Sequence, residues 1–282
     1  MTAIGARDKE ILKDSVSAER QATPTARLIR ALINSQIALS STFDLLLPLS
    51  FRIDGAKDFK YRIVPLHFRP SLVIYDVGGG ARPCVTSETK RHLGLRLVGV
   101  DIGSEELANA PPGIYDQMVV ADITSYQEKQ AADLVVCKST LEHVRNTEAA
   151  LTAMAELLKP GGMMLVFTPC RNAMFARLNR LLPERFKRRL LSFFMSDKAD
   201  HLGFPAFYDR CTPRDFRRLV ARQGLELVEL RPYYTSTYFS VVFPVHVLWR
   251  IWIVASRLLA GENAAETFVL LARKPGSIEE ER

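Results

Sequence analysis

The sequence predicts a doubly wound α/β fold around a mostly parallel, seven-stranded sheet. Two observations predict it. From Leu72 onward, short apolar, β-favouring runs alternate with stretches of helical periodicity, the pattern of a parallel sheet covered on both faces. Four of these runs end on a polar residue, at Asp76, Asp101, Asp122 and Lys138, and the first is followed at once by three glycines, Gly78 to Gly80. In such a sheet, ligands bind beyond the carboxyl ends of the strands.

The elements follow in order. Residues 1–22 read as a mobile tail, and residues 23–70 as an N-terminal helical cap. Thr23-Pro24 is a cap followed by Pro at the first helical position, and Leu28, Leu32, Ile33 and Ile37 continue at helical spacing. The helix fades toward Pro48, and the stretch to Arg69-Pro70 reads as loop, with β-prone Tyr61, Ile63 and Val64. Residues 71–275 form the main domain. Leu72 to Tyr75 is the first strand, and a helix is expected from near Pro83 to Gly94. Leu95 to Val100 is the second strand. Ser104 caps a short helix that Pro111-Pro112-Gly113 breaks.

Met118 to Ala121, Ala132 to Cys137 and Met163 to Phe167 are the next strands. Leu141-Glu142-His143-Val144 is expected to open the helix between the last two, with Val144, Leu151, Met154 and Leu158 on its inner face. Thr212-Pro213-Arg214-Asp215 opens another helix, with Thr as cap and Asp in the first turn. Leu225 to Leu230 and Thr267 to Ala272 complete the sheet. Two insertions interrupt the domain, a basic helical one at 171–211 and an amphipathic one at 238–261. Residues 276–282 read as a tail.

The glycine turn narrows the ligand. A dinucleotide fingerprint, Gly-x-Gly-x-x-Gly, needs its third glycine where this chain has Pro83, which disfavours NAD and FAD. The run Asp-x-Gly-x-Gly at 76–80, Gly-Val-Asp at 99–101, Ala-Asp-Ile at 121–123, Leu-Glu-His-Val at 141–144 and Leu-Lys-Pro-Gly-Gly at 158–162 resembles class I S-adenosylmethionine-dependent methyltransferases. The resemblance covers about residues 70–170 and the last two strands. Arg82 stands where that family usually has its last glycine. The resemblance implies a Rossmann-like methyltransferase fold whose last strand is antiparallel, and S-adenosyl-L-methionine as cofactor. It implies cofactor contacts from Asp76, Gly78, Gly80, Asp101, Ile102, Asp122, Ile123 and Lys138. Asp101 lies 25 residues after Asp76 and can accept from both ribose hydroxyls, with Ile102 against the adenine. Asp122 and Ile123 match the family's contacts to the adenine amine and ring.

Methyl transfer from a sulfonium is an in-line displacement, and a base helps when the acceptor is a hydroxyl. His143 is the candidate base. Some quinone-pathway members carry Glu-x-x-Glu-His here and bind a metal. This chain reads Ser139-Thr140-Leu141-Glu142-His143, without the first Glu, so no metal is expected. His201, Tyr208 and Arg210 are candidates for acceptor contact. The expected function is methylation, on oxygen, of a small-molecule, lipid or lipid-linked glycan acceptor. The alternatives are an inactive cofactor- or lipid-binding protein of this fold, or a nucleotide-sugar or NAD enzyme.

The totals add partners. The 282 residues carry a net charge of +7, and the 22 residues from Arg171 to Ser192 hold seven bases against one acid. Such a patch favours an anionic membrane surface as partner, with nucleic acid the less favoured reading. Four dispersed cysteines read as reduced thiols of a cytoplasmic protein. The first 21 residues are polar and of mixed charge, so no secretory leader is expected. No run of 18 uncharged apolar residues occurs. From Val245 to Ala260, a 100° step places His246, Arg250 and Arg257 within about 40° of one another. Apolar residues and both tryptophans fill the rest of the turn. That pattern fits an interfacial helix lying in the headgroup plane with Trp at the membrane boundary, on the inner membrane face; the alternatives are that it packs with the basic insertion as a lid over the substrate, or forms a dimer contact.

Overall fold

The computed structural model describes residues 23–181, 205–235 and 239–276. The reading of 1–22 as a tail, that of 276–282 from residue 277 on, the later part of the basic insertion and His201 lie outside the described residues.

Helix α1 (Pro24–Asp44) comes first and starts as its cap predicts, with Thr23 Oγ1 accepting from Ala26 N–H. Then come β1 (Val73–Val77), α2 (Ser87–Leu93), β2 (Arg96–Asp101), α3 (Ser104–Ala108), β3 (Gln117–Val120) and β4 (Ala132–Lys138). They are followed by α4 (Thr147–Leu157), β5 (Leu158–Pro169), α5 (Met174–Leu181), α6 (Pro213–Arg222), β6 (Glu226–Tyr233), α7 (Phe243–Ala260) and β7 (Thr267–Arg273). The sheet order is β3-β2-β1-β4-β5-β7-β6. Strands β1 to β5 run parallel, and β7 runs antiparallel to both β5 and β6. This is the doubly wound, seven-stranded sheet with an antiparallel last strand.

Alternate strand residues point to two cores. Tyr75, Val135, Val166 and Leu270 pack with α4 and α6 on one face. Ile74, Val136, Leu165 and Leu271 pack on the other with Phe59, Ile63 and Val64. Those last three residues correct the loop reading of 48–70. The stretch is a chain of short helical turns, Leu49–Phe51, Gly55–Asp58, the π turn Phe59–Ile63 and Val64–Leu66. Burying Phe59, Ile63 and Val64 against the sheet outweighs the weak helix propensity of β-branched side chains. The π turn ends one residue before Pro65, which has no N–H to donate back into it and stands in the first positions of the α turn Val64–Leu66.

Three local expectations also change. The helix after β1 starts at Ser87 with Thr86 as cap, because residues 81–86 are used to close the glycine loop. Gly103, not Ser104, is the cap residue of α3. Leu141–His143 is a separate 3₁₀ turn rather than the start of a helix. Asn146 caps α4 afresh, its side chain accepting from Ala149 N–H at 3.0 Å. Leu158 consequently lies in β5.

The chain divides into two compact units. The sheet unit takes the described residues from Pro48 to Thr235 and from Trp252 to Gly276. The helical unit takes those up to Leu47 and from Phe239 to Ile251. Within the helical unit, the stripe on α7 faces inward. Asp44 Oδ1 lies 2.7 Å from Arg250 Nε and 2.8 Å from His246 Nε2, and Asp44 Oδ2 lies 2.5 Å from Arg250 Nη2. His246, Trp249 and Arg250 are each 1% exposed, and the Arg250 guanidinium stands 4.3 Å over the Trp249 ring. The stripe at His246 and Arg250, with Trp249 beside it, is therefore turned inward, because Asp44 pairs with both bases. Arg257 belongs to the sheet unit and is exposed, its guanidinium 4.9 Å from the Tyr234 ring centroid. By length and composition, Phe243–Ala264 is apolar enough to cross a membrane, although its sequence is interrupted by Arg250 and Arg257.

Candidate active site at the carboxyl edge of the sheet

Parallel register builds the site. Val77 pairs with Val100 on β2 and with Cys137 on β4. One residue further along, Gly78, Asp101 and Lys138 therefore fall in one row across three adjacent strands, roughly 5 Å apart from strand to strand. Asp101 pairs in turn with Val120, so Asp122 and Ile123 follow just past the end of β3. The row lies where the strand order reverses between β1 and β4, the crevice that doubly wound folds leave open.

The glycine loop is shaped by what surrounds it. Gly78 has φ +72°, and a Cβ there would sit 2.0 Å from Thr140 Oγ1. Gly78 N–H donates to Val100 O at 2.8 Å, which ties the loop to β2. At Gly80 a Cβ would lie 3.1 Å from Glu106 Cβ and 3.2 Å from Asp101 Oδ2. The loop backbone is thus drawn close against Asp101, and only glycine lets it come so near.

Asp76 lies beneath this loop and is 2% exposed. Its Oδ2 accepts from Cys84 N–H at 2.7 Å, and Tyr115 Oη lies 3.4 Å away. Tyr115 Oη also reaches Gly80 O at 3.1 Å. Burial pushes the Asp76 carboxyl up to about 6. The structure thus places Asp76 as an internal brace of the loop.

Asp101 is half-buried, and its Oδ1 accepts from Gly103 N–H at 2.9 Å. Burial raises its carboxyl above the ordinary range. Ile102 next to it is 61% exposed and offers a free apolar face. Asp122 Oδ1 accepts from both the amide and the hydroxyl of Thr124, each at 2.8 Å. Ile123 is buried in the core. Lys138 is half-buried, and burial lowers its ammonium below the ordinary value, helped by Lys60 and Arg82.

His143 sits in the 3₁₀ turn beyond β4. Its Nδ1 lies 3.2 Å from Pro205 O, and its Nε2 lies 4.0 Å from Glu142 Oε1. Glu142, which the sequence reading noted only as the second Glu of the Glu-x-x-Glu-His pattern and gave no role, is buried, and burial lifts its carboxyl to about 7. Thr168 Oγ1 lies 3.4 Å from Glu142 Oε2. The turn is clamped to the segment at 205–212: Glu142 O accepts from Phe207 N–H at 2.7 Å and Tyr208 N–H at 3.0 Å. Asp209 Oδ2 accepts from Thr147 N–H at 3.0 Å, at the start of α4. Tyr208 is buried and Arg210 pairs with Glu148, so neither presents a free side chain to an acceptor. Both hold positive φ, a left-handed conformation that bulky residues rarely adopt. The sequence hint of Glu142 was its match, beside His143, to the second Glu of the Glu-x-x-Glu-His pattern. Among the described residues, no three His, Cys, Asp or Glu side chains gather as a metal ion would require.

The arrangement suits an adenosyl cofactor bearing a positive charge. Carboxylates at Asp101 and Asp122 can accept from hydroxyl and amino groups, Ile102 offers an apolar surface, and no Cβ stands on the loop at Gly78–Gly80. A model of the methyltransferase domain matches residues 50–230, more than half of the chain. The chain belongs to the methyltransferase-domain family. Among curated relatives, the ubiquinone biosynthesis O-methyltransferase of Cupriavidus pinatubonensis is 28% identical over 166 residues, 56% of this chain. The match covers 61% of that relative's length, less than two thirds of it. The protein of the same name from Photorhabdus laumondii is 36% identical over 106 residues, 35% of this chain and 43% of its own. Among solved structures, a chain from the complex of the Haloferax volcanii Trm112 methyltransferase activator with a methyltransferase superposes with a TM-score of 0.51 at 12% identity. That match covers 88% of this chain and 98% of the other, and shows the shared fold.

Proposed function

We propose that this methyltransferase-domain protein transfers a methyl group from S-adenosyl-L-methionine to a hydroxyl oxygen of a small-molecule, lipid or lipid-linked acceptor, on the cytoplasmic side of a membrane. The row of Gly78, Asp101 and Lys138 across three parallel strands carries the reading. The relatives' name as O-methyltransferases supports oxygen as the acceptor atom, and the free thiols support a reducing compartment.

The cofactor, when bound, supplies a methyl group on a sulfonium sulfur that is a good leaving group. Asp101 would accept from the ribose hydroxyls, and Asp122 from the adenine amine. Ile102 would cover one face of the ring. Asp76 would act from below by holding the loop through Cys84 N–H. His143 would take the acceptor's proton. A proton on Nδ1, donated to Pro205 O, leaves the Nε2 lone pair as the basic site. Glu142, 4.0 Å from Nε2, would stabilise the imidazolium that forms when its own carboxyl is ionised.

The test is calorimetric titration with S-adenosylmethionine, alongside release of S-adenosylhomocysteine in the presence of a lipid extract. Asp101→Ala should weaken binding by about 1–3 kcal/mol, the scale of a hydrogen bond to a charged group. Cofactor binding without any turnover would favour an inactive binding protein. Binding of NAD in place of S-adenosylmethionine would overturn the reading.

A further inference from the structure

We infer that the helical unit is a membrane-docking device that lies on an anionic bilayer, with α7 turned inside out. Up to Ile251, the part within the helical unit, the helix hides its charges and shows its apolar side. His246, Trp249 and Arg250 lie on one side, and the two bases close on Asp44. The opposite side carries Val245, Leu248 and Ile251, which are 45%, 68% and 61% exposed. Water-soluble helices do the reverse. The Asp44 clamp is what makes this surface suitable for lipid, because it removes from it the only charges on this part of α7.

Helix α1 extends the same surface chemistry. Leu28 and Leu32 are 72% and 60% exposed, and Leu46 just beyond its end is 80% exposed. Between Thr23 and Phe43 the only charged residues are Arg27 and Arg30, both exposed. An apolar half-turn flanked by arginines, with no acid within α1 before Asp44, complements acyl chains and anionic headgroups together. A protein partner would not need this one-signed charge. The net charge of +7 acts in the same direction at longer range.

Topology decides between lying on the bilayer and crossing it. The excursion that holds α7 leaves the sheet at Tyr233 and returns at Thr267, and these two residues pair in the sheet. A chain that leaves and re-enters one side of a membrane must cross an even number of times. The described part of this excursion holds a single helix of spanning length. The helix therefore lies in the headgroup plane with Leu248 and Ile251 toward the acyl chains. This inference stands apart from methyl transfer, since it needs neither cofactor nor acceptor.

The experiment is co-sedimentation of the full chain with vesicles of equimolar phosphatidylglycerol and phosphatidylcholine, and with pure phosphatidylcholine, at low and high salt. Cofactor titration and light scattering on the same samples report fold and oligomeric state. The wild type should sediment with the mixed vesicles and bind pure phosphatidylcholine more weakly. The double variant Leu248→Glu with Ile251→Glu should bind at least about tenfold less, because both apolar contacts are lost to charge. Arg30→Gln should lose about fivefold toward mixed vesicles and little toward neutral ones. Failure of the wild type to bind mixed vesicles at low salt would overturn the inference. So would unchanged binding by the double variant. A wild-type dimer that the double variant converts to monomer without lipid would assign the apolar face to a second copy, and would equally overturn it.

Discussion

Asp44 in the helical unit and Glu142 at the carboxyl edge of the sheet are both carboxylates drawn away from water, and their surroundings move them in opposite directions. Burial alone would raise Asp44. Hydrogen bonds from His246 and Arg250, with the Arg250 charge, outweigh it and hold the carboxyl below its usual range. Burial also raises Glu142, and there the Thr168 hydroxyl and the Lys138 charge offset only part, leaving it at about 7. Asp76 and Asp101 follow Glu142, each raised chiefly by burial. The difference separates two uses of a charge. Asp44 is saturated by internal partners and serves architecture. The carboxyl edge keeps its acids short of cations, which suits a region that receives a cationic cofactor.

The largest expected effect tests the edge. Gly78→Val would combine a left-handed φ with a side chain driven into Thr140. Loss of S-adenosylmethionine affinity should exceed about a hundredfold, given a strain of a few kcal/mol. Near-normal affinity in calorimetry would mean that the loop does not cradle the cofactor. His143→Ala comes next. Turnover should fall by about 10²–10⁴ while cofactor affinity is kept. A fall below tenfold would return His143 to a structural role and leave the edge without its base.

Asp44→Ala probes the other side of the comparison. It would leave Arg250 buried without its carboxylate, so chemical denaturation should show a loss of about 3 kcal/mol. Because the folded Asp44 carboxyl is held low, the clamp's contribution is present above its unfolded value of 3.8 and is lost as pH falls through the lowered folded value. Cofactor affinity should change little. A loss under 1 kcal/mol would show that the clamp is dispensable.

Glu142→Gln gives the smallest effect and the opposite sign. A carboxyl raised from 4.5 to about 7 binds its proton more tightly in the folded chain. Stability should therefore fall as pH rises between those values, by about 3 kcal/mol for the full shift. The Gln variant should lose this slope between pH 6 and 7, while Asp76, raised to about 6, keeps a slope at lower pH. An unchanged slope in pH-dependent melts would place the proton uptake elsewhere.

The strand ends were legible because strands buried on both faces read as continuous apolar runs. Their lengths and the polar residues that end them located Asp101, Asp122 and Lys138. The glycines at 78–80 likewise announced a tight turn, since few other residues accept positive φ. Less was legible where burial itself made the structure. The turns at 49–66 read as loop because Phe59, Ile63 and Val64 show helical preference only once the sheet lies against them. Glu142 gave almost no sign, because its burial depends on a backbone clamp to Phe207 and Tyr208, 65 and 66 positions along the chain.

By itself the sequence determined the order of strand, turn and helix, the row of residues at the carboxyl edge, and the angular grouping of His246 and Arg250 on one stripe of α7. Those follow from local periodicity and from residue types that punctuate the backbone. Which side of that stripe meets water was decided only by the tertiary structure. Periodicity gives an angle and no direction, and the direction came from Asp44, 202 positions away from His246. A carboxylate that pairs with both bases makes it cheaper to bury them than to expose them, and the apolar side of the helix is left facing outward.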